Sequence, residues 1–207
     1  MNQLQKKAII FDLDGTLYDQ KRLRIRMAGK LLLYYTGHPG RIGDLRLLAR
    51  FRRLREEKQY SALSIDELCA ILDDRFRREK GTASRVMQYW MFQVPLGLVR
   101  SNAYSEVLNF AKKYQSEGGR VYIYSDYPVT EKLQALELHP DGTFVSCSSS
   151  ELPEQKPSET AMQSILSIIN LPADDILYVG DRDDRDRASA EQVGMEYMDI
   201  RDFREYI

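Results

Sequence analysis

The sequence predicts an α/β fold: a parallel five-stranded sheet covered on both faces, with an α-helical block inserted after the first strand. Three observations predict it. After Arg100, short apolar runs alternate with amphipathic, helix-patterned segments. Near the start stands an isolated apolar run, Ala8 to Phe11, continuous in the manner of a strand buried on both faces. Between the two lies a stretch of helical periodicity with a strong excess of basic residues.

The elements follow in order. Residues 7–11, KAIIF, form the first strand, and Gly15 offers a tight turn after it. From Lys21 to about Trp90 the pattern is helical. In DLRLLARFRRLREE, Leu47, Leu48, Phe51 and Leu54 recur at three- and four-residue spacing. GHPG at 37–40 is a turn between helices. SIDELCAILDDRFRREKG opens with a capping box, Ser64 with Glu67. It carries Ile65, Leu68, Leu72 and Phe76 on one face and is expected to stop at Gly81. Beyond Arg100, SNAYSEVLNFAKKYQSEGG reads as an amphipathic helix, RVYIYSD as a strand, PVTEKLQALEL as a helix and TFVSCS as a strand. KPSETAMQSILSIINL is a helix with Pro157 suited to its first turn. DDILYVGD is a strand, RASAEQVG a short helix and MEYMDI the last strand. All five strands belong to one sheet, so the helical block interrupts a three-layer, Rossmann-like core.

With 207 residues the chain suits one domain, or one domain carrying an insertion. A net charge of −1 does not suggest a nucleic-acid or membrane partner for the molecule as a whole. Residues 20–90, however, hold 17 Lys/Arg against 8 Asp/Glu, whereas residues 101–207 hold 10 against 20. Opposite signs suggest two structural units with different tasks. Arg-rich helices such as RFRRLREE usually present a solvated face; the alternative is an electrostatic funnel for a polyanion. Cys69 and Cys147 make no disulfide framework, and two free thiols fit a reducing cytoplasm. The apolar run after MNQLQKK is too short for an export signal, and none approaches the roughly 18 residues of a membrane span. His38 and His139 each precede a proline in a turn and are assigned no ligand role. The aromatic clusters YYTGHPGR and MQYWMF are read as packing residues.

In open parallel sheets, ligands bind beyond the carboxyl ends of the strands, at a switch in strand order. Asp12 and Asp14 follow the first strand there, and Ser125 and Asp126 follow the second. Asp181, Asp183, Asp184 and Asp186 follow the fourth, and Lys156 precedes a helix. Crowded carboxylates repel one another unless something compensates. Mg²⁺ prefers hard oxygen ligands and commonly takes one or two carboxylates plus a substrate phosphate, which suits Asp12 and Asp181. A carboxylate can also attack phosphorus, and Asp12 is placed to do so. Asp14 is then the acid that protonates the departing oxygen and later takes a proton from water. Ser125 and Lys156 suit phosphate oxygens, with backbone amides near Leu13 and Asp126 assisting.

FDLDGTLYD resembles the first motif, DxDGT, of the haloacid dehalogenase superfamily. VYIYSD resembles its second motif, EQKPS its third and ILYVGDRDDRD its fourth, all in order over residues 8–200. The resemblance implies a C1-capped, subfamily I hydrolase. Its core would comprise residues 1–19 and 98–207, and its helical cap residues 20–97. Asp12 corresponds to the nucleophile and a Mg²⁺ ligand. Asp14 corresponds to the general acid/base, with its carbonyl on the metal. Ser125 and Lys156 correspond to the phosphate binders, beside which Asp126 is also counted for its backbone amide, and Asp181 corresponds to the main acidic ligand of the fourth motif. Asp183, Asp184 and Asp186 compete for that motif's second acid; the spacing back from Gly194 favours Asp186, orienting Lys156 or a metal-bound water.

The expected function is therefore Mg²⁺-dependent hydrolysis of a small phosphorylated metabolite through an aspartyl-phosphate, by a cytoplasmic monomer or homodimer. A phosphomutase of the same fold is one alternative. A non-catalytic module binding polyanions through the basic cap is another. Dehalogenases of the family lack the acid two residues after the nucleophile, so Asp14 counts against that chemistry. Phosphonate cleavage would need a cap lysine; Lys21 and Lys30 are available, but nothing singles them out.

Overall fold

The computed structural model describes residues 5–207; residues 1–4, which begin the segment read as too short for an export signal, lie outside them. The chain forms two compact units, one combining the residues up to Gln20 with Val99–Ile207, the other made of Lys21–Leu98. The first strand, β1 (Ala8–Phe11), is followed by α1 (Gln20–Gly37), α2 (Gly43–Glu56), α3 (Ile65–Arg75), α4 (Thr82–Met87), a π-helical segment (Gln88–Gln93) and α5 (Val94–Val99). Then come α6 (Ser105–Ser116), β2 (Arg120–Ser125), α7 (Thr130–Leu136), β3 (Gly142–Val145), α8 (Glu159–Ile169), β4 (Ile176–Gly180), α9 (Ala188–Glu191), β5 (Glu196–Asp199) and α10 (Ile200–Tyr206).

The five strands form one parallel sheet in the order β3-β2-β1-β4-β5. β1 takes the centre because all four of its residues are apolar, and all four are fully buried. Ala8 and Ile10 face a cluster with Tyr124, Phe144, Ile165 and Tyr178. On the opposite face, Phe11 meets Phe203 edge-on at 5.5 Å, and Phe203 meets Phe110 at 5.2 Å. The chain steps outward from β1 through β2 to β3, then returns to the other side of β1 with β4. That reversal opens a crevice at the carboxyl end of β1, between the ends of β2 and β4.

In the helical unit, Leu47, Leu48, Phe51 and Leu54 of α2 are buried, as are Leu68 and Leu72 of α3. The Ser64–Glu67 capping box forms as expected. Gly81 does not stop α3. The helix ends at Arg75, where Arg77 takes a left-handed φ of 49° and Arg78 N–H donates to Asp73 C=O at 2.8 Å, a Schellman closure. Gly81 instead opens α4 at φ +85°, and the Asp73 carboxylate accepts from Gly81 and Ala83 N–H at 2.7 and 2.8 Å. Phe76 lies past the helix and is 36% exposed. The aromatic clusters pack together: Trp90 meets Tyr34 edge-on at 5.1 Å, and Tyr34 stacks on His38 at 4.3 Å.

Three further expectations in the sheet unit need adjusting. Pro157 lies before α8 rather than in its first turn; Ser158 is the N-cap, accepting from Ala161 N–H at 3.3 Å. β3 ends at Val145, before a turn in which Cys147 has φ +57°. After β5, α10 was not anticipated; Asp199 caps it and Ile200 and Phe203 anchor it in the core. Among the described residues neither Cys69 nor Cys147 forms a disulfide. Among the described residues no helix is long and apolar enough to cross a membrane.

Candidate active site

The crevice gathers side chains from the ends of three strands. Asp12 directly follows β1 and stays in register, its N–H donating to Val179 C=O of β4 at 2.9 Å. The chain then turns at Gly15, whose φ is +110°. A Cβ there would lie 2.2 Å from Asp181 Oδ2, so only glycine lets the loop approach the end of β4 this closely. Within the loop, the Thr16 hydroxyl donates to Asp12 Oδ2 at 3.2 Å and Leu17 N–H donates to Leu13 C=O at 3.1 Å.

Lys156 is the charged centre. Its Nζ donates to Asp12 Oδ1 at 2.6 Å, Asp186 Oδ1 at 2.7 Å and Tyr124 C=O at 3.2 Å, with the Tyr178 hydroxyl also at 3.2 Å. Asp186 is held on its other oxygen by the N–H groups of Asp181 and Arg182, at 3.2 and 3.1 Å. Gly180 makes room for it, since a Cβ at Gly180 would fall 2.4 Å from Asp186 Cβ. Among the three competing acids, Asp186 is thus the buried one that reaches Lys156. Asp183 and Asp184 pair with Arg187 and Arg182 on the surface, each at 2.7 Å.

Asp12, Asp181 and Asp186 each offer a carboxylate oxygen within 4.8 Å of the others. Burial, together with the negative charges of Asp186 and Asp181, pushes the Asp12 carboxyl well above its usual range, with Lys156 opposing. Burial and then Asp186 raise Asp181 to about 6. Burial works against the Lys156 ammonium, but Asp12 and Asp186 outweigh it and hold Lys156 well above 10.5. Ionising all three carboxylates against this one ammonium would leave two negative charges uncompensated. A hard, oxygen-seeking divalent cation fits that donor set. Asp186 is the most fully engaged, with Oδ1 on Lys156 and Oδ2 on two backbone N–H groups, whereas Asp12 Oδ2 carries only the longer Thr16 bond at 3.2 Å, so Asp12 and Asp181 are the better placed to offer an oxygen.

Asp14 does not join that cluster. Its carboxylate accepts from Lys132 Nζ at 2.6 and 2.7 Å and from the Tyr18 hydroxyl. Lys132 and Tyr18 were not singled out in the sequence; Lys132 lies 118 residues from Asp14, and no local pattern links them. Ser125 is buried at the end of β2, its Oγ accepting from Tyr127 N–H at 3.1 Å. The Asp126 carboxylate faces away into a structural network. It accepts from Ser146 Oγ at 2.7 Å, Lys156 N–H at 2.9 Å and Arg185 at 2.7 Å. Burial would raise its pKa, but Lys156 and Arg185 outweigh it and hold the carboxyl below the usual range. Any phosphate contact at Asp126 therefore falls to its backbone N–H, since the carboxylate would repel the ligand.

The sequence profile of the haloacid dehalogenase-like hydrolases matches residues 6–194. The chain belongs to this family of hydrolases. No curated protein matches the chain significantly. Among solved structures, this haloacid dehalogenase-like hydrolase is similar to 2-haloacid dehalogenase from Pseudomonas syringae pv. Tomato DC3000, at 19% identity and a TM-score of 0.66, covering 93% of this chain and 85% of that one. It is also similar to the putative HAD-hydrolase YfnB of Bacillus subtilis, solved bound to magnesium, at 15% identity and a TM-score of 0.62, covering 93% and 87%. A HAD phosphatase from Thermococcus onnurineus aligns at 16% identity with a TM-score of 0.61, covering 92% and 84%. Identities this low establish the shared fold alone.

Proposed function

We propose that this hydrolase is a Mg²⁺-dependent phosphomonoesterase for a small phosphorylated metabolite, working through an aspartyl-phosphate on Asp12. The observation that carries the reading is the second acid. Asp14 follows Asp12 by two residues and is kept apart from the carboxylate cluster by Lys132 and Tyr18. Halide displacement from carbon needs no proton for its leaving group. An alkoxide leaving phosphorus does.

In the first step an Asp12 carboxylate oxygen forms a bond to phosphorus as the bond to the ester oxygen breaks, and Asp14 protonates that oxygen. In the second, water attacks phosphorus, gives its proton to Asp14 and restores the Asp12 carboxylate with release of phosphate. Lys156, 2.6 Å from Asp12, offsets the repulsion between an anionic nucleophile and an anionic substrate. The Ser125 hydroxyl and the Asp126 N–H are donors for phosphoryl oxygens. Asp186 keeps Lys156 aimed at Asp12. Asp12, Asp181 and the Asp14 carbonyl would hold Mg²⁺, whose contribution is to neutralise phosphoryl charge.

The test is release of inorganic phosphate from p-nitrophenyl phosphate and a panel of phosphorylated metabolites, with Mg²⁺ and with chelator. Chloride release from 2-chloropropionate is followed in parallel. Mg²⁺-dependent phosphate release without chloride release supports the proposal; chloride release without phosphate release replaces it with dehalogenation.

A further inference from the structure

Lys132 sits where a lysine is costly. It lies on α7 beside Val129, Leu133 and Leu136, all buried, and is itself only 7% exposed. An ammonium on the inner face of a short helix is tolerated only when its charge is met. Here it is met by Asp14, with Nζ bonded to both carboxylate oxygens at 2.6 and 2.7 Å. Oδ1 also accepts from the Tyr18 hydroxyl, whereas Oδ2 accepts from Lys132 alone among the described residues. Two donors thus fix the carboxylate plane through Oδ1, and Oδ2 keeps a lone pair for proton exchange.

We propose that Lys132 is a positioning residue that aims Asp14 Oδ2 at the oxygen leaving phosphorus. The proposal rests on the phosphomonoesterase reading and adds to it the group that fixes the acid's direction. A salt bridge serving only to tie α7 to the loop after β1 would be replaceable by any well-packed contact of similar size. A positioning role makes a narrower demand. Proton transfer to a leaving group is sensitive to displacements of about 1 Å. It matters most when the leaving alcohol is a poor one, since a good leaving group departs without full protonation.

The experiment compares two substrates of one enzyme, p-nitrophenyl phosphate with its good leaving group and an alkyl phosphate with a poor one. In Lys132→Met, kcat for the alkyl phosphate should fall at least about tenfold more than kcat for the aryl phosphate. KM for both should change little, because Lys132 acts through Asp14. Lys132→Arg should recover most of the alkyl phosphatase activity. If Lys132→Met does not fold, Tyr18→Phe removes the other donor and should show the same bias at smaller size. Equal loss on both substrates, or a rise in KM at constant kcat, overturns the positioning role and leaves the phosphatase reading intact. No phosphate release from either substrate by the parent enzyme overturns both.

Discussion

Replacing Lys156 with methionine keeps much of the side-chain volume and removes one charge from the centre of the site. The ammonium lies 2.6 Å from Asp12 and 2.7 Å from Asp186, both buried. Losing one partner of a buried ion pair costs about 3–5 kcal/mol, because the remaining charge is left without compensation. The carboxylates can escape by binding a proton, and that escape limits the loss. Forcing a carboxylate of pKa near 4 to stay protonated costs about 1.4 kcal/mol per pH unit above 4, so about 5 kcal/mol at pH 8 but only about 1.4 kcal/mol at pH 5. The sign follows from linkage. The folded variant binds protons that its unfolded chain does not, so its stability rises as pH falls toward 4. In the parent, the Lys156 pKa is raised on folding, so the lysine's contribution is fully present below about 10.5 and is lost only as pH climbs through the folded value. Urea unfolding with chelator present, at pH 5 and pH 8, reads the difference. The expected loss is about 3–5 kcal/mol at pH 8, shrinking to between about 1 and 2 kcal/mol at pH 5, with partial recovery in Lys156→Met/Asp186→Asn. A loss equal at both pH values, or below about 1 kcal/mol at both, would refute the reasoning.

Other consequences are open to measurement. Because Asp181 is raised to about 6, protons compete with Mg²⁺ below that value, so calorimetry should find weaker Mg²⁺ binding at pH 5.5 than at pH 7.5. Without metal, folded Asp181 holds a proton that the unfolded chain has lost between about pH 4 and 6, so its contribution to stability should decline as pH rises through that window. Asp181→Asn should remove that decline and most of the Mg²⁺ affinity together. Gly15→Ala places a Cβ 2.2 Å from Asp181 Oδ2 at φ +110°. It should lose at least about 1–2 kcal/mol of stability from the backbone alone, and a titration should show weakened Mg²⁺ binding because Asp181 has to move.

What could be read from the sequence was whatever lay close together in it. β1 announces itself by four consecutive apolar residues, and Asp12, Asp14 and Gly15 follow without a gap. The strand ends bearing Ser125 and Asp181 are visible through the same apolar runs, and the resemblance supplied the order in which to read them. Asp186 was separable from Asp183 and Asp184 only by counting, because the three sit in one charge run. What distinguishes them is depth: Asp186 turns inward to Lys156, and the other two meet neighbouring arginines at the surface. The Asp14–Lys132 pair was illegible because it is made by the fold, between a loop and a helix distant in sequence. α10 was missed because RDFREY looks like a charged tail until Phe203 is found against Phe11 and Phe110. Gly81 was misread because a glycine at φ +85° can open a helix when a buried carboxylate, here Asp73, caps the first turn.

The central claim is that Asp12 carries the phosphoryl group. Acid-quenching the enzyme during turnover of p-nitrophenyl phosphate, followed by peptide mass spectrometry, tests it most directly. The account predicts one added phosphoryl group on the peptide containing Asp12, absent from Asp12→Asn. Turnover with no phosphorylated peptide under rapid quench, or continued turnover by Asp12→Asn, would contradict it.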